Sequence, residues 1–240
     1  MRENGYRYYT LWDASIVMEC KQMKNMGFSV KESGHIVTQG TADALAQLLE
    51  QHERQLDAEA ERKRRTVLAM ENLRAALRFC AREEWNIRTA EPRWFLPHTS
   101  EQRFSEDPGV YAQLPDWVEA MPIVRSAQRL TRRPDGSWKP EWGLCVRAQD
   151  AAAAGLSPAP PAVLLPAVRV FEQYTSYRVD KVNAGPQHDA RYARLMARLA
   201  AMHLTPGPVM SKEMVACTLQ NGVRQLHCIL RVPVTAPDEA

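Results

Sequence analysis

The residues best suited to chemistry at the start of the sequence are arginines and tyrosines. Residues 2–10 read RENGYRYYT, in which the pair Asn4-Gly5 precedes an aromatic, alternating run. Asn-Gly before such a run is typical of a β-hairpin, so we predict a strand over residues 6–10. Guanidinium and phenol groups that project from a tight turn are suited to binding phosphate oxygens. The segment is therefore a candidate phosphate-binding surface.

The usual catalytic and metal-binding motifs are absent from the sequence. It contains no HExxH, GxSxG, Walker-type phosphate-binding loop or GxGxxG motif. The six histidines lack the spacing of metal ligands, and the five cysteines lie far apart without a CxxC pair. An odd number of isolated cysteines indicates reduced thiols rather than a disulfide framework. We therefore predict a protein without metal or cofactor, located in the cytoplasm.

A helix of unusual length must organise the rest of the chain. Residues 41–80 contain no proline or glycine, and most of them are strong helix formers. Segment 58–65, AEAERKRR, is too polar for a globular core. Such a helix is expected to pair with a copy of itself, which predicts a homodimer through residues 41–80. The alternative is a solvated helix that packs at both ends on its own chain. The apolar residues of its stripe are Leu45, Leu49, Leu56, Met70, Leu73 and Leu77.

Length and composition are those of a globular protein. The 240 residues suffice for one large or two smaller domains. Hydrophobic residues make up 45% and charged residues 25%, which excludes a disordered chain. The net charge of +3 neither requires nor excludes a polyanionic partner. No signal peptide and no apolar run of roughly twenty residues occurs, so we predict no membrane association.

Two shorter helices are predicted between the hairpin and the long helix. The first covers residues 11–26, with Asp13 near its start and Gly27 after its end. The second follows Ser29, which forms a capping box with Glu32 in the pattern SVKE. These helices would connect the hairpin to the long helix.

Residues 2–80 resemble MerR-family transcription regulators. The match consists of GYRYY, then Asp13, then KQMKNMGFSVKE over residues 21–32, then the long helix. In this family, GYR-Y ends the wing of a winged helix and GFS-x-x-E forms a turn before the dimerisation helix. The resemblance implies promoter DNA and RNA polymerase as partners, whereas a buried aromatic strand is the alternative for GYRYY. The DNA-contacting residues that it implies are Arg2, Tyr6, Arg7, Tyr8 and Tyr9.

The sequence departs from the family pattern at its start. In the family a helix-turn-helix precedes the wing, whereas this sequence begins at the wing. We therefore expect residues 1–40 to form the wing and second helix pair of a truncated DNA-binding domain, unless the true start lies upstream. Such a remnant would make only sequence-independent, salt-sensitive phosphate contacts. Metal-sensing members have cysteines at the start of the dimerisation helix and in the loop beyond its end, but here only Cys80 lies near the far end. A lone cysteine cannot form a metal site, so we predict no metal sensing.

A second domain is predicted after the dimerisation helix. With that helix over residues 41–84, we predict a linker over 85–91 and a C-terminal domain over 92–236. Two similar halves, each with a helix and strands, would close a mixed sheet around a cleft. The pair Asn221-Gly222 predicts a hairpin between the last two strands. The predicted strands are 94–98, 138–146, 162–174, 209–219 and 223–234, the helices 110–121 and 186–203, and the loop 151–161.

This order of elements is similar to the GyrI-like effector domain of BmrR-type MerR regulators. The matching strings are PAVR at 166–169, LTPGPVMSKEMVACTL from residue 204 and LHCILRVPV from residue 226. The resemblance implies an α+β protein: a partial winged helix, a long coiled-coil dimerisation helix and an α+β effector domain. In that type, aromatic residues enclose a lipophilic cation, and a buried glutamate balances its charge.

Glu213 occupies the position that corresponds to this glutamate. Residues 214–216 beside it are apolar, so a carboxylate there needs a partner or a raised pKa. A cationic ligand between aromatic faces would satisfy that requirement. The alternative is a solvated Glu213 next to Lys212 on the outer face of the sheet.

Three aromatic residues complete the predicted ligand site. Tyr111 matches a pocket tyrosine of the BmrR type, whereas Trp142 and Tyr174 are candidates from aromatic placement alone. Ordinary core packing is the alternative for Trp142 and Tyr174. Where the type has another tyrosine on the last strand, this sequence has Arg224 or Leu226, which argues against strict cation specificity.

The sequence therefore predicts a ligand-responsive transcriptional regulator that senses a small cationic or aromatic molecule and is not an enzyme. Two alternatives remain open. Some GyrI-like domains hydrolyse small electrophiles, and Glu213 as general base with Trp142 would imitate their catalytic pair. A ligand-binding protein that lacks a DNA-reading head is the second alternative.

Overall fold

The computed structural model describes residues 8–101, 103–178 and 190–236, and it has the predicted α+β fold. The chain divides into a first unit, Met1–Arg64, and a second unit, Arg65–Ala240. The boundary between the units falls inside the long helix. None of the helices in the described ranges is long and apolar enough to span a membrane.

The first unit contains helices α1 (Leu11–Asn25) and α2 (Val30–Gln39) and the beginning of α3 (Ala42–Arg82). Both shorter helices start with capping boxes, as predicted for the second. Ser29 accepts a hydrogen bond from the Glu32 backbone amide, and the Glu32 carboxylate accepts one from the Ser29 amide. Thr10 and Asp13 form the same arrangement before α1. The N-cap and N3 backbone amides of both helices are thus satisfied locally.

The strand predicted over residues 6–10 is wrong in the part that can be examined. Residues 8–10 are irregular, because Thr10 serves as the N-cap of α1. Residues 6 and 7 lie outside the described residues. A cap and a strand impose different hydrogen-bonding partners on the same backbone, and here the cap prevails.

Helix α3 (Ala42–Arg82) is the long helix that the sequence predicts. In the first unit, the His52 ring packs on the Phe28 ring with centroids 4.4 Å apart and bonds the Met26 carbonyl. Exposed pairs such as Glu59–Lys63, 2.8 Å apart, occur along its polar centre. Such surface pairs stabilise a helix by only a few tenths of a kcal/mol. Residues 65–82, which belong to the second unit, are called the C-terminal segment of α3 below.

The second unit is built on a sheet of nine strands in the described residues. The strands are β1 (Trp85–Thr89), β2 (Arg93–Pro97), β5 (Arg125–Arg132), β6 (Trp138–Arg147), β7 (Val163–Leu165), β8 (Arg169–Arg178), β9 (Thr205–Pro206), β10 (Val209–Gln220) and β11 (Val223–Thr235). Eight of them follow the order β1-β8-β11-β10-β5-β6-β2-β7, and β9 pairs with the end of β11. Every described pairing is antiparallel, so the predicted mixed sheet is wrong. A separate hairpin consists of β3 (Thr99–Ser100) and β4 (Arg103–Phe104).

Most predicted elements of this unit are present, with three corrections. The segment predicted as a linker contains β1, an edge strand that pairs with β8. The predicted loop 151–161 begins inside helix α5 (Ala148–Ala153). The predicted strand 162–174 is two strands, β7 and β8, with Pro166 between them. Proline lacks the backbone donor that a central strand needs. Helices α4 (Pro108–Glu119) and α6 (Ala190–Ala201) match their predictions, although residues 186–189 lie outside the described residues.

The two faces of the sheet have different partners. One face packs against α4, α5 and α6 through two apolar clusters, with Trp117 and Leu144 in one and Leu199 and Phe171 in the other. On the opposite face, the C-terminal segment of α3 contributes Ala76 and Cys80 to a cluster with Val215 and Ile229. Successive side chains of a strand point to opposite faces. Alternate residues of each strand therefore face α4, α5 and α6, and the residues between them face the side that α3 covers.

Candidate functional site

A cavity of about 410 Å³ lies in the second unit, bordered by the C-terminal segment of α3 and by the sheet face that this segment covers. Its volume is in the range of small-molecule sites. The lining residues from α3 are Arg65, Leu68, Ala69, Asn72, Ala75, Ala76 and Phe79. The sheet contributes five arginines and Glu213, together with Cys145, Tyr174 and Ile229.

Glu213 on β10 is the buried carboxylate at this sheet face. Its Oε2 accepts hydrogen bonds from Arg93 Nη1 at 2.7 Å and from Arg231 Nη1 at 2.8 Å. Its Oε1 accepts one from Arg125 Nη1 at 2.9 Å. Three guanidinium groups therefore share one carboxylate, and we call these four residues the Glu213 cluster.

Strand register explains how the cluster forms. Glu213 pairs with Ala127 on β5 and with Ile229 on β11. Arg125 and Arg231 each lie two residues from these partners, so they share a face with Glu213 and are its diagonal neighbours. Arg93 reaches the same carboxylate from β2. Each guanidinium is thus delivered by a different strand.

The cluster keeps Glu213 ionised. Burial by itself raises the pKa of the Glu213 carboxyl, but the charges of Arg231, Arg93 and Arg125 outweigh burial and hold the pKa far below its usual 4.5. Burial also disfavours the charged form of Arg231, yet Glu213 and Glu172 raise its pKa above the usual value. Glu213 and Arg231 are therefore both charged at neutral pH.

A second buried carboxylate extends the network toward the sheet edge. Glu172 on β8 accepts a hydrogen bond from Arg231 Nε at 2.7 Å. It also accepts bonds from Arg88 Nε and Nη2 at 3.0 and 2.7 Å, a bidentate pair, and one from the Tyr174 hydroxyl at 3.1 Å. Burial raises the pKa of Glu172, but the arginines more than compensate and lower it. Arg231 on β11 thus links two carboxylates that lie on the two flanking strands, β8 and β10.

Other side chains give the cavity an apolar side. Phe79 and Tyr174 meet edge to face with ring centroids 5.1 Å apart. Leu68, Ala75 and Ile229 line the cavity as well. Burial and the nearby Glu172 raise the pKa of Tyr174 to about 12, so its hydroxyl stays protonated. The cavity therefore combines aromatic and aliphatic surface with a strongly charged one.

Positive charge predominates in the lining. Among the described lining residues, six arginines (Arg65, Arg88, Arg93, Arg125, Arg147 and Arg231) face three acidic residues (Glu91, Asp150 and Glu213). Arg147 is paired with Asp150 at 2.5 Å and with Glu91 at 3.5 Å, and Arg65 donates to the Ala153 carbonyl. Arginines still outnumber acidic residues when Glu172, which is not part of the lining, is included. Such a surface attracts anions rather than cations.

The structure brings together two of the four predicted ligand residues. Glu213 and Tyr174 both line the cavity. Trp142 does not, because Gly143 rather than Trp142 lies on the Glu213 face, opposite Ala127. Instead, the Lys212 ammonium lies 5.2 Å from the Trp142 ring. Tyr111 lies on α4 away from the cavity lining, and its hydroxyl donates to the Ser105 carbonyl at 2.6 Å.

These positions remove two of the arguments drawn from the sequence. Glu213 does not require a cationic ligand, because three arginines already neutralise it, and it is buried rather than solvated. The Glu213–Trp142 catalytic pair does not form, because the two side chains lie on opposite faces of the sheet. A carboxylate with a lowered pKa is in addition a weak general base.

Sequence reasoning missed the arginines. Part of their signal was present, since Arg231 lies between Leu230 and Val232 in the predicted last strand, in the string CILRVPV. Arg125, in contrast, begins β5, a strand that the sequence did not predict. Arginine is almost never buried without a partner, so arginines in such strands predict buried carboxylate partners. Which carboxylate they share depends on strand register, which the sequence does not give.

Two of the five predicted DNA-contacting residues lie in the described part of the chain. Tyr8 and Tyr9 are exposed in the irregular segment before α1. Arg2, Tyr6 and Arg7 lie outside the described residues. In the ranges that the structure covers, no group of three or more histidine, cysteine or acidic side chains is arranged to hold a metal ion.

No family model matches the sequence, and no curated protein matches it. Solved structures are similar at low identity. A chain of the cryo-EM structure of the EcmrR–DNA complex in EcmrR-RPo is 12% identical, covering 98% of this chain and 88% of that one, with a TM-score of 0.38. The EcmrR C-terminal domain is 8% identical over 64% of this chain and 98% of that one, TM-score 0.38. A hydrolase encoded by lin2189 from Listeria innocua is 8% identical over 64% and 92%, TM-score 0.39. At these TM-scores, the similarity supports no argument about function.

We expect Glu213→Gln to destabilise the second unit by about 3–5 kcal/mol at pH 7, because it leaves three arginines without their shared anion. The folded-state pKa of Glu213 is lowered, so its contribution is present above pH 4.5 and is lost as the pH falls. The difference in free energy of unfolding between wild type and variant should therefore shrink below about pH 4.5. Urea denaturation at several pH values measures it.

Glu101→Gln is the control for this substitution, since Glu101 pairs with Arg133 at an exposed position. We expect it to change the unfolding free energy by less than about 1 kcal/mol. A Glu213→Gln effect as small as that of the control, or one that does not depend on pH, would contradict the assigned role of the cluster.

Proposed function

We propose that this chain is a ligand-responsive transcriptional regulator of the MerR type, whose second unit binds a small-molecule effector in the cavity beside α3. The observation that supports this function is the cavity itself, with its apolar side, its convergent charged groups and its strongly shifted pKa values. These features together are typical of a binding site rather than of a packing defect. The cytoplasm is the location proposed for such a regulator.

Helix α3 is the proposed route of coupling. Leu68, Asn72 and Phe79 line the cavity, and residues 42–64 of the same helix belong to the first unit. A ligand that contacts these side chains contacts an element common to both units. Binding changes the equilibrium between two arrangements only to the extent that the ligand prefers one of them. We propose that this preference is expressed through the position or order of the C-terminal segment of α3.

The first unit is the proposed nucleic-acid side of the regulator. The resemblance of residues 2–80 to the MerR family supports promoter DNA and RNA polymerase as its partners. Tyr8 and Tyr9 are exposed, and a tyrosine hydroxyl can donate a hydrogen bond to a phosphate oxygen. Arg2, Tyr6 and Arg7 remain proposed contacts from the sequence alone.

Filling the cavity should abolish effector binding. We expect some compounds from a library of anionic, neutral and cationic small molecules to raise the melting temperature of the wild-type chain, since a ligand at 100 times its Kd adds about 2.7 kcal/mol. Ala75→Trp should remove these shifts, because Ala75 lines the cavity. Differential scanning fluorimetry measures the effect. Ala81→Trp, exposed on the same helix, is the control and should retain every shift. Stabilisation that persists in Ala75→Trp would count against the cavity as the binding site.

The proposed dimer should depend on the apolar stripe of α3. Leu56, Val67 and Met70 are exposed, and spacings of 11 and 14 residues put them on one side of a helix. We expect Leu56→Glu and Met70→Glu to raise the dimer dissociation constant by roughly ten-fold or more. Analytical ultracentrifugation over a concentration series measures this constant. Leu219→Glu, at an exposed position on β10, should leave it unchanged. Wild-type protein that sediments as a monomer at all concentrations would refute the dimer.

DNA binding by this chain should be weak, independent of sequence and sensitive to salt, because phosphate contacts release condensed counterions. Arg7→Ala should reduce the slope of log K against log salt concentration by about one. Fluorescence anisotropy with a labelled duplex provides the slope. Arg54→Ala, which removes an exposed charge on α3, is the control and should leave the slope unchanged. Equal losses in the two variants would contradict a specific contribution of residues 2–9.

A further inference from the structure

We propose that the effector is a small organic anion whose carboxylate or phosphate group binds Arg93 and Arg125, with its carbon skeleton against α3. This inference rests on the proposed function, because it names the chemical class of the ligand in the same cavity. It reverses the charge that the sequence led us to expect.

The charge of the network favours an anion. Two carboxylates, Glu172 and Glu213, are surrounded by the guanidinium groups of Arg88, Arg93, Arg125 and Arg231. Partly buried positive charge without a counterion is unfavourable, because the protein interior solvates it poorly. An anion in the cavity offsets this cost, whereas a cation adds to it.

The distribution of hydrogen-bond donors also favours an anion. Arg231 is buried and uses both ends of its guanidinium, on Glu172 and on Glu213. Arg93 donates through Nη1, but its buried Nε has no partner among the described residues. Arg125 donates to Glu213 through Nη1 alone in the described part of the chain. Arg93 and Arg125 therefore have N–H donors at the cavity lining that make no hydrogen bond within the described residues.

The geometry of these donors suits an oxyanion. Arg93 and Arg125 are bonded to the two oxygens of one carboxylate, so their guanidinium groups are held side by side at the same place. A guanidinium has five N–H donors in a planar fork, which matches carboxylate and phosphate oxygens. Glu213 is thus a positioning residue: it fixes both arginines, while three donors already occupy its own oxygens.

The rest of the ligand is expected to be apolar. The apolar side of the cavity, with Leu68, Ala75, Phe79 and Ile229, would gain nothing from an inorganic ion. Apolar surface contributes about 25 cal/mol for each Å² removed from water, so a carbon skeleton there adds affinity. A volume of about 410 Å³ accommodates an aromatic or branched aliphatic acid.

Four naphthalene derivatives of similar size test the charge preference. They are 1-naphthoate, 1-naphthyl phosphate, 1-naphthamide and 1-naphthylmethylammonium, titrated into the full wild-type chain by isothermal calorimetry. We expect at least one of the two anions to bind roughly ten-fold or more tightly than the amide and the ammonium compound, since charge-assisted hydrogen bonds exceed neutral ones. Comparison of naphthoate with naphthyl phosphate identifies the preferred acid group.

Arg125→Gln has a closely matched control in Arg129→Gln. Both arginines lie on β5, four residues apart and therefore on the same face, and both side chains are 19% exposed. Arg129 pairs with Glu141 and does not line the cavity. We expect Arg125→Gln to weaken binding of the preferred anion roughly ten-fold and Arg129→Gln to leave it within about two-fold. The series on the wild-type chain decides the inference even where a variant does not fold.

The outcomes separate this inference from the function on which it rests. Tighter binding of the amide or the ammonium compound would overturn the proposed preference for anions. Equal losses of affinity for the anion in the two arginine variants would overturn it as well. If neutral or cationic library compounds stabilise the chain and lose this effect in Ala75→Trp, the effector site stands and only its anion preference fails. If no compound of any charge binds, the effector site and the anion inference fail together.

Discussion

One buried carboxylate shared by three arginines is the interaction on which the second unit depends. Glu213 and its partners come from four strands, β2, β5, β10 and β11, so the cluster forms only when these strands are in register. A shift of one residue would turn Glu213 to the apolar face, where no arginine meets it. Removal of one partner of a buried ion pair is far more costly than its net contribution suggests, because the remaining charge stays buried. The cluster therefore specifies the arrangement of the sheet as much as it stabilises it.

The two sheet faces divide the tasks of the unit. Phe171, Leu144 and their neighbours pack under α4, α5 and α6, where shape and apolar area determine stability. The opposite face bears the arginines and carboxylates and is only partly covered by the C-terminal segment of α3. Because the first face supplies the packing energy, the second can retain charged groups beside a cavity. This division is the physical basis for proposing a binding function for the unit.

Local signals in the sequence predicted much of the fold, and the failures concern pairings over long distances in the chain. The Ser29–Glu32 capping box, the uninterrupted α3 and the Asn221-Gly222 hairpin all depend on neighbouring residues. Strand β1 was missed because an edge strand needs little apolar character. Trp142 was assigned to the ligand site from aromatic placement alone, because alternation along a strand gives two faces but does not show which face meets Glu213. The arginine partners of Glu213 lie 18, 88 and 120 residues away in sequence, and no local pattern connects them.

The double pairing of Arg231 has a consequence for how this protein can change over evolutionary time. Its guanidinium joins Glu172 to Glu213, so the two carboxylates cannot be replaced independently. A descendant whose cavity lining carried a net negative charge would have to lose several arginines. Each intermediate would leave a buried charge in the sheet without its partner. Drift is easier on the α3 side, where alanine, leucine and phenylalanine can be exchanged one at a time. Relatives that diverge from this chain should therefore vary in the size and shape of their ligands long before they vary in ligand charge.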